Sequence, residues 1–264
     1  EVRMIMQTIH LYDLLEIQKI REPEIQIVSN LSFLPVNENN LVYKAARLLQ
    51  EEFALTDGIS VKLTKRIPVA AGMAGGSTDA AAMLYAMNQL YDLGLSRREL
   101  MKRGVQIGAD VPYCLMRGTA LAEGIGEKLT QLPPMIKCPV LIAKPSISVS
   151  TKFVYQNLKL DEQTNHPDID ALMKDIREKD FDGVCAHMGN VLESVTIPNY
   201  PVIAEIKQQM MRSGAKASMM SGSGPTVFGL FEDGETAKRA LREMKRSGLA
   251  KQVYLTTIYN NRRK

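Results

Sequence analysis

A glycine-rich stretch that leads directly into an alanine-rich run constrains this chain more than any other segment. The stretch covers residues 72–76, and a run of strong helix formers covers residues 80–87. Before them, residues 58–64 alternate between apolar and polar side chains, which is typical of a half-buried strand. The run contains no helix breaker, so the sequence predicts a strand, a glycine-rich loop and a helix in succession.

The junction between this loop and its helix has the properties of an anion site. Ser77 and Thr78 are natural N-cap residues, and Asp79 would place a carboxylate in the first helical turn. Glycine lets the backbone approach a ligand closely, and a helix start offers unpaired N–H groups at the positive end of its dipole. Such a junction most often binds phosphate. No lysine follows Gly75 and Gly76, so the loop is not a P-loop, and its glycine spacing does not fit a dinucleotide fold.

Composition narrows the class of protein. The 264 residues suffice for one large domain or two ordinary ones, and 45% of them are apolar. The 33 basic and 29 acidic residues leave a net charge of +4, which is too balanced to indicate a nucleic-acid partner. No apolar run reaches the roughly 18 residues that span a bilayer, and no secretory leader is visible. Three widely spaced cysteines indicate free thiols in a reducing cytoplasm, and the histidines lack metal-ligand spacing, so no zinc is expected.

Strand-like and helix-like segments alternate irregularly, which predicts an α+β fold rather than a regular doubly wound sheet. The proline pair in residues 132–135 is the best candidate for a domain join, so we expect domains over residues 1–135 and 136–264. Predicted strands cover residues 2–9, 13–20, 25–28, 58–64, 119–122, 140–145, 217–220, 226–231 and 252–258. Predicted helices cover residues 41–49, the segment after the glycine loop to about 94, 96 to about 104, 150–158, 169–178, 184–193, 201–211 and 234–247.

Two more motifs carry chemistry. Asp110 lies between a glycine turn and a predicted strand region, residues 111–115, where its carboxylate can be held rigidly. Phosphoryl transfer to an alcohol needs a carboxylate that orients the hydroxyl and accepts its proton. An isolated aspartate of this kind is more often a turn or cap residue, but the nearby phosphate loop favours the catalytic role. Residues 220–226 hold two glycines and two serines, a second loop able to present N–H groups to an anion, although alone it would be a plain hairpin turn.

The glycine loop, from Pro68 onward, resembles the Pro-x-x-x-Gly-Leu-(Gly/Ala)-(Gly/Ser)-Ser-(Ser/Thr) motif of the GHMP kinases, which include galactokinase, homoserine kinase and mevalonate kinase. Met73 replaces the usual leucine, a change of similar volume. The motif around Asp110 and the loop at residues 220–226 match the second and third motifs of that family. The resemblance implies a two-domain GHMP kinase fold, with an N-terminal ribosomal-protein-S5-like domain and a C-terminal ferredoxin-like domain. It also implies ATP and Mg2+ as cofactors.

Carried over by resemblance, Asp110 is the catalytic base and Ser77 a contact for magnesium. Asn40 and Lys65 lie where the family contacts the adenosine part of ATP. The residues expected to wrap the triphosphate are Pro68, Val69, Ala70, Ala71, Gly72, Met73, Ala74, Gly75, Gly76, Ser77 and Thr78. The residues expected to border the active site are Ser221, Gly222, Ser223 and Gly224.

Within the family, these motifs together with residues 189–193 resemble the branch that phosphorylates the 2-hydroxyl of a small-molecule substrate, a cytidine diphosphate-linked methylerythritol. That reaction belongs to the non-mevalonate route to isoprenoid precursors. The resemblance further implies a cytoplasmic enzyme, a monomer or weak homodimer, with no nucleic-acid or membrane partner.

The family's first strand, with its Ala-Lys-Ile-Asn-Leu run, and the following Asp-Gly-Tyr-His turn have no counterpart here. Residue 1 is Glu1, and a strand-like pattern starts at once. We therefore expect the sequence to be trimmed at its N-terminus, to lack half of its substrate site and to be poorly active or inactive as it stands. Equal turnover by a version restored to its start codon would contradict this expectation.

Three alternatives stay open at this point. A kinase for another alcohol, such as homoserine or mevalonate, would carry the same loops, and competition by a CTP-derived nucleotide would separate the two. A catalytically silent family member would lack the front lysine, but the intact Asp110 argues against it. An RNA-binding protein fits the balanced charge poorly and would show salt-dependent binding.

Overall fold

The computed structural model describes residues 2–160, 164 and 166–261, and its chain divides into two compact units. Of the described residues, the first unit takes 2–6, 11–69 and 74–131. The second takes 7–10, 70–73 and the residues from 132 onward. The predicted domain limits, 1–135 and 136–264, stay a prediction. Within the described residues, no helix combines the length and the apolar character needed to cross a membrane.

The first unit contains two small sheets and four helices among its described residues. Its strands are β1 (Val2–Gln7, whose last residue belongs to the second unit), β2 (Leu14–Ile20), β3 (Ile25–Ser29), β4 (Gly58–Thr64), β5 (Thr119–Gly124) and β6 (Lys128–Gln131). Its helices are α1 (Leu41–Glu52), α2 (Gly75–Leu90), α3 (Arg97–Ile107) and α4 (Val111–Met116). One sheet has the order β2-β4-β3, and the other has the order β1-β5-β6.

Strand β4 is the centre of the sheet that leads to the glycine loop. Its alternate residues Ile59, Val61 and Leu63 are buried, as the period-two pattern predicts. β4 pairs antiparallel with β2 and parallel with β3. The apolar face of α2 packs in the same core through Met83 and Leu84, which the Ala-rich sequence allows to approach closely. The predicted order of strand, loop and helix is confirmed.

Local capping signals also appear as predicted. The Asn40 side chain caps α1 by accepting a hydrogen bond from the backbone N–H of Val42. Ser96 and Glu99 form the predicted capping box at the start of α3, where each side chain accepts from the other residue's backbone N–H. These short-range bonds satisfy donors that a helix start leaves unpaired, so sequence alone locates them.

Three predictions about elements are wrong. Residues 111–115 form the helix α4 rather than a strand, because Pro112 fits the first turn of a helix and Val111 packs against Gly104 of α3. The segment 184–193, expected as one helix, is broken near Gly189 into two separate helices. The helix α2 begins at Gly75, so Ser77 and Thr78 lie inside its first turns instead of capping it, and Asp79 lies beyond the first turn.

The second unit is built on an antiparallel sheet. Its strands are β7 (Pro139–Lys144), β8 (Ala217–Met220), β9 (Val227–Leu230) and β10 (Gln252–Thr257), in the order β10-β7-β9-β8. Its helices are α5 (Thr151–Asn157), α6 (Ile169–Glu178), α7 (Phe181–His187), α8 (Glu193–Asn199), α9 (Val202–Arg212) and α10 (Gly234–Ser247). Strands and helices together make each unit α+β, as predicted.

We predict that Leu84→Ala lowers the free energy of unfolding by about 2–5 kcal/mol, because Leu84 is fully buried in α2 and truncation leaves a cavity. Tyr85→Ala, at the next position of the same helix, is the matched control. Tyr85 is 54% exposed, so its truncation should change stability by no more than about 0.5 kcal/mol. Urea denaturation measures both, and equal losses would contradict this packing of α2.

Candidate functional site

Three charged side chains meet where the glycine loop leaves the first sheet. The Lys65 ammonium contacts a carboxylate oxygen of Asp13 and lies 2.6 Å from Oδ2 of Asp79. The side chains of Lys65, Asp13 and Asp79 are only 3%, 1% and 4% exposed. A buried cation between two carboxylates is tolerated because it pairs with both, and removing Lys65 would leave two buried carboxyl groups without a compensating charge.

Strand pairing explains why these side chains come together. Leu14, the first residue of β2, pairs with Thr64, the last residue of β4, so Asp13 and Lys65 occupy the next position outward. Asp13 also accepts hydrogen bonds from the backbone N–H groups of Arg66 and Ile67 through Oδ1. One carboxylate therefore fixes both the ammonium and the backbone that enters the loop.

Asp79 is the unusual member of this cluster. Burial raises its pKa from 3.8 to about 7, against the opposing attraction of Lys65, and the nearby Asp13 carboxylate adds to the rise. Its Oδ1 is buried and has no hydrogen-bond partner within the described part of the chain. Asp79 lies one turn into α2, so the cluster ties the exit of β4 to the start of that helix.

The start of α2 is open to a ligand. Its N-cap residue, Ala74, has the left-handed φ of 51° and makes no side-chain cap. Among the described residues, none accepts a hydrogen bond from the backbone N–H of Gly75, Gly76 or Ser77. Unpaired N–H groups at the positive end of a 16-residue helix make an anion site. These free donors are compatible with an anion, and the binding of phosphate by the first turn of α2 stays a prediction.

Gly75 allows this helix start to lie directly over the charged cluster. A Cβ built on Gly75 would lie 3.0 Å from Cγ2 of Ile67 and 3.4 Å from the Lys65 ammonium. The contact with Ile67 is tighter than ordinary packing, so a side chain at this position would have to displace Ile67.

The two hydroxyl side chains in the first turns of α2 have different roles. Thr78 donates a hydrogen bond to the carbonyl of Ala74 at 2.9 Å and lies 3.4 Å from Sγ of Cys114 on α4. The Ser77 hydroxyl makes no hydrogen bond within the described residues, and it faces the backbone turn at Gly108. Ser77 thus keeps a free oxygen for a ligand, while Thr78 is committed to the fold.

Asp110 is the N-cap residue of α4, next to these first turns of α2. Cys114, one turn further along α4, contacts Thr78 of α2. Before α4, a Cβ built on Gly108 would lie 3.9 Å from the Ser77 hydroxyl, so the turn that precedes Asp110 approaches the first turn of α2. Burial raises the pKa of Asp110, and no oppositely charged side chain pairs with it among the described residues. A partly buried carboxylate without a charged partner, close to a helix start with free N–H groups, has the arrangement that a proton acceptor for an alcohol needs.

The two residues predicted to contact adenosine, Asn40 and Lys65, already have hydrogen-bond partners within the protein. Asn40 is buried, and its amide nitrogen donates to the carbonyl of Pro35 at 2.6 Å while its oxygen caps α1. The ammonium of Lys65 is committed to its two carboxylates. Their contact with adenosine, like the other predicted site roles, stays a prediction.

In the second unit, residues 70–73 of the glycine loop lie against residues 221–224. The Ser221 hydroxyl donates to the carbonyl of Gly72 at 2.7 Å. Gly72 has a φ of +67°, and a Cβ there would lie 2.1 Å from the carbonyl oxygen of Ser221. Only glycine fits this position, so the middle of the first loop and the third motif are in direct backbone contact.

The sequence alone did not identify Asp13 or the ion-pairing role of Asp79. An aspartate at the entry of an alternating strand carries no local signal, because its partner Lys65 is 52 residues away in sequence. Two residues in the second unit, Asn190 and Glu193, also bind the third loop and were recognised only as part of a resembling run.

Comparison with known proteins agrees with this geometry. The family model for the GHMP kinases N terminal domain matches residues 40–118, and the model for GHMP kinases C terminal matches residues 172–250. The chain belongs to the GHMP kinase family. These limits enclose α2 and Asp110 in the first match and the loop at residues 221–224 in the second.

Individual relatives narrow the similarity further. The chain is 58% identical over 98% of its length to the 4-diphosphocytidyl-2-C-methyl-D-erythritol kinase of Lachnospira eligens and covers 90% of that protein. It is 54% identical over 99% of its length to the kinase of the same name from Lachnoclostridium phytofermentans, again covering 90% of it. A crystal structure of 4-(cytidine 5'-diphospho)-2C-methyl-D-erythritol kinase superposes with a TM-score of 0.84 and 27% identity, covering 98% of this chain and 90% of that one.

We predict that Asp79→Asn changes how stability depends on pH. The pKa of Asp79 is raised by folding, so its stabilising contribution is complete below its ordinary value of 3.8 and is lost as the pH rises through about 7. The loss between pH 5 and pH 8 is on the order of 2 kcal/mol. Urea denaturation of parent and variant at pH 5, 6, 7 and 8 measures it. The variant should gain stability relative to the parent as the pH rises, and a constant difference would contradict the raised pKa.

Proposed function

We propose that this chain is an ATP-dependent kinase that phosphorylates the 2-hydroxyl of 4-diphosphocytidyl-2-C-methyl-D-erythritol, a step toward isoprenoid precursors. The observation that carries the proposal is the partly buried carboxylate of Asp110 beside the open start of α2. The substrate is inferred from the 58% and 54% identical relatives, whose name states it.

In this proposal, Asp110 orients the substrate hydroxyl and accepts its proton as the oxygen attacks the γ-phosphorus of ATP. Burial raises the pKa of Asp110, which makes its carboxylate a stronger base than one in water. The bond from the γ-phosphorus to the bridging oxygen breaks, and ADP leaves. Little covalent chemistry falls to the protein, so positioning and charge stabilisation carry the rate.

The triphosphate is proposed to bind along the glycine loop with its phosphates on the N–H groups of Gly75, Gly76 and Ser77. These donors are preorganised, because the left-handed turn at Ala74 and the ion pair between Lys65 and Asp79 fix the start of α2 before ATP binds. Fixed donors aimed at charge that spreads over the phosphoryl oxygens stabilise the transition state without reorganisation.

The Ser77 hydroxyl fits a magnesium ion, because it is a hard oxygen with no competing partner among the described residues. A bound Mg²⁺ neutralises phosphate charge in reactions of this class. Ser77→Ala should raise the magnesium concentration for half-maximal activity about tenfold and leave urea stability unchanged, since no internal hydrogen bond is lost. Magnesium titrations of the initial rate test this, and an unchanged midpoint would remove Ser77 from the metal site.

Asp110→Asn should lower kcat by about two to four orders of magnitude, the usual contribution of a positioned acid–base group, and leave ATP affinity almost unchanged. Coupled detection of ADP release gives kcat, and calorimetry gives the ATP dissociation constant. Asp92→Asn is the matched control, because Asp92 is an exposed aspartate just after α2 in the same unit. A collapse of ATP affinity in Asp110→Asn would make Asp110 structural and overturn its assignment as the base.

A kinase for a different alcohol is the remaining alternative. The folds of solved homoserine and mevalonate kinases also match, with TM-scores of 0.79 and 0.78 but only 22% and 15% identity. At such low identity, the match shows only that the folds are similar. A higher kcat/KM with homoserine or mevalonate than with the cytidine-linked substrate would favour this alternative.

We further propose that the enzyme acts in the cytoplasm on a free small molecule, as a monomer or weak homodimer, without nucleic acid or membrane. The support is the near balance of 33 basic and 29 acidic residues and the three unpaired cysteines. Sedimentation velocity tests the assembly state. A single species of dimer mass at nanomolar concentration would contradict it.

A further inference from the structure

Residues 189–193, which comprise most of the connection between α7 and α8 and the first residue of α8, have no role in the proposed chemistry. Gly189 breaks the helical path, and Asn190 and Glu193 then face residues 220–222 at the end of β8. Residues 221–224 follow that strand and contact the glycine loop at Gly72 within the same unit. Residues 189–193 are therefore hydrogen-bonded to the loop that contacts Gly72.

Asn190 uses both ends of its amide there. Its Nδ2 donates to the carbonyls of Met220 at 2.9 Å and Gly222 at 2.8 Å, and its Oδ1 accepts from the backbone N–H of Leu192 at 3.0 Å. An aspartate would keep the acceptor but lose both donors and place a negative charge against two carbonyl oxygens. Only an amide side chain can donate to the two carbonyls and also accept from the Leu192 N–H.

Glu193 forms a hydrogen bond with the same end of β8. Its Oε1 accepts from the backbone N–H of Met220 at 2.8 Å, and its Oε2 pairs with the Lys207 ammonium of α9. The backbone donor and acceptor of Met220 are thus bound by two neighbouring side chains. Hydrogen bonds to a charged acceptor are stronger than neutral ones, so this contact is firm.

The loop that these side chains hold has two backbone hydrogen bonds of its own, from the N–H of Gly224 to the carbonyl of Ser221 and from the N–H of Ser221 to the carbonyl of Thr226. Gly222 and Gly224 have positive φ angles of 54° and 84°, and glycine at these positions costs more conformational entropy than other residues do. The Thr151 hydroxyl contacts that of Ser223 at 2.9 Å, which adds one further tie. External bonds are needed to select one loop conformation, and Asn190 supplies two of them.

We infer that Asn190, supported by Glu193, is a positioning residue for the kinase reaction. It fixes residues 221–224 so that Ser221 holds the carbonyl of Gly72, and thereby sets the path of the triphosphate loop at residues 70–73. The effect on catalysis rests on the proposed function, whereas the effect on the loop does not.

The test compares Asn190→Ala and Asn190→Asp with Asn199→Ala. Asn199 is the matched control, because its amide donates only to the carbonyl of Val195 within α8. Loss of the two Asn190 bonds should raise the KM for ATP about tenfold, lower kcat/KM further, and speed amide hydrogen exchange at residues 221–224 about tenfold. Asn199→Ala should leave both readouts at parent values.

Glu193→Gln distinguishes the effect of the hydrogen bond to Met220 from the effect of the ion pair with Lys207. A glutamine oxygen still accepts from the Met220 N–H, so loop exchange should stay within about threefold of the parent although the pair with Lys207 is lost. If Asn190→Ala fails to fold, the isosteric Asn190→Asp gives the same readouts.

The outcomes are distinguishable. Faster loop exchange with an unchanged KM for ATP would overturn the catalytic part of the inference, and unchanged exchange would overturn the whole of it. If a version restored to its start codon phosphorylates no alcohol, the proposed function fails, while hydrogen exchange and ATP calorimetry still decide whether Asn190 positions the loop.

Discussion

The buried ion cluster of Lys65 with Asp13 and Asp79 is the interaction on which the first unit's site depends. It joins the start of β2, the end of β4 and the second turn of α2, and it fixes the backbone entering the glycine loop through Asp13. Because the three side chains are almost fully buried, loss of the Lys65 ammonium would leave two carboxyl groups without a compensating cation. The direction of α2, and with it the direction of its free N–H groups, follows from this cluster.

The glycine loop is thus fixed at its ends and in its middle by different means. In the first unit, ionic contacts set the exit from β4 and the start of α2. In the second unit, neutral and charge-assisted hydrogen bonds from Asn190, Glu193 and Ser221 set residues 221–224 and the carbonyl of Gly72. The proposed function requires a loop that holds its donors still while charge develops on the phosphoryl group, and both sets of contacts restrict the loop in this way.

Local chemistry made part of this structure predictable. The cap at Asn40, the capping box of Ser96 and Glu99, and the alternation in β4 depend on residues within a few positions of each other, so the sequence predicts them. Helix α4 was mistaken for a strand because Val111 and its neighbours favour strands by propensity, while packing against Gly104 decides otherwise. The glycine motifs and Asp110 were recognised from spacing and resemblance. The contacts of Lys65 with Asp13 and of Asn190 with Gly222 lie beyond sequence reasoning, since they join residues 52 and 32 positions apart.

The central claim is that the Asp110 carboxylate and the start of α2 together transfer a phosphoryl group to one alcohol. The most direct test is ³¹P nuclear magnetic resonance of the chain with ATP, Mg²⁺ and 4-diphosphocytidyl-2-C-methyl-D-erythritol. The account predicts a new phosphomonoester signal, equimolar with ADP, from a product phosphorylated on the 2-hydroxyl. Inorganic phosphate without a change in the alcohol, or a phosphomonoester formed only when homoserine or mevalonate is supplied, would contradict it.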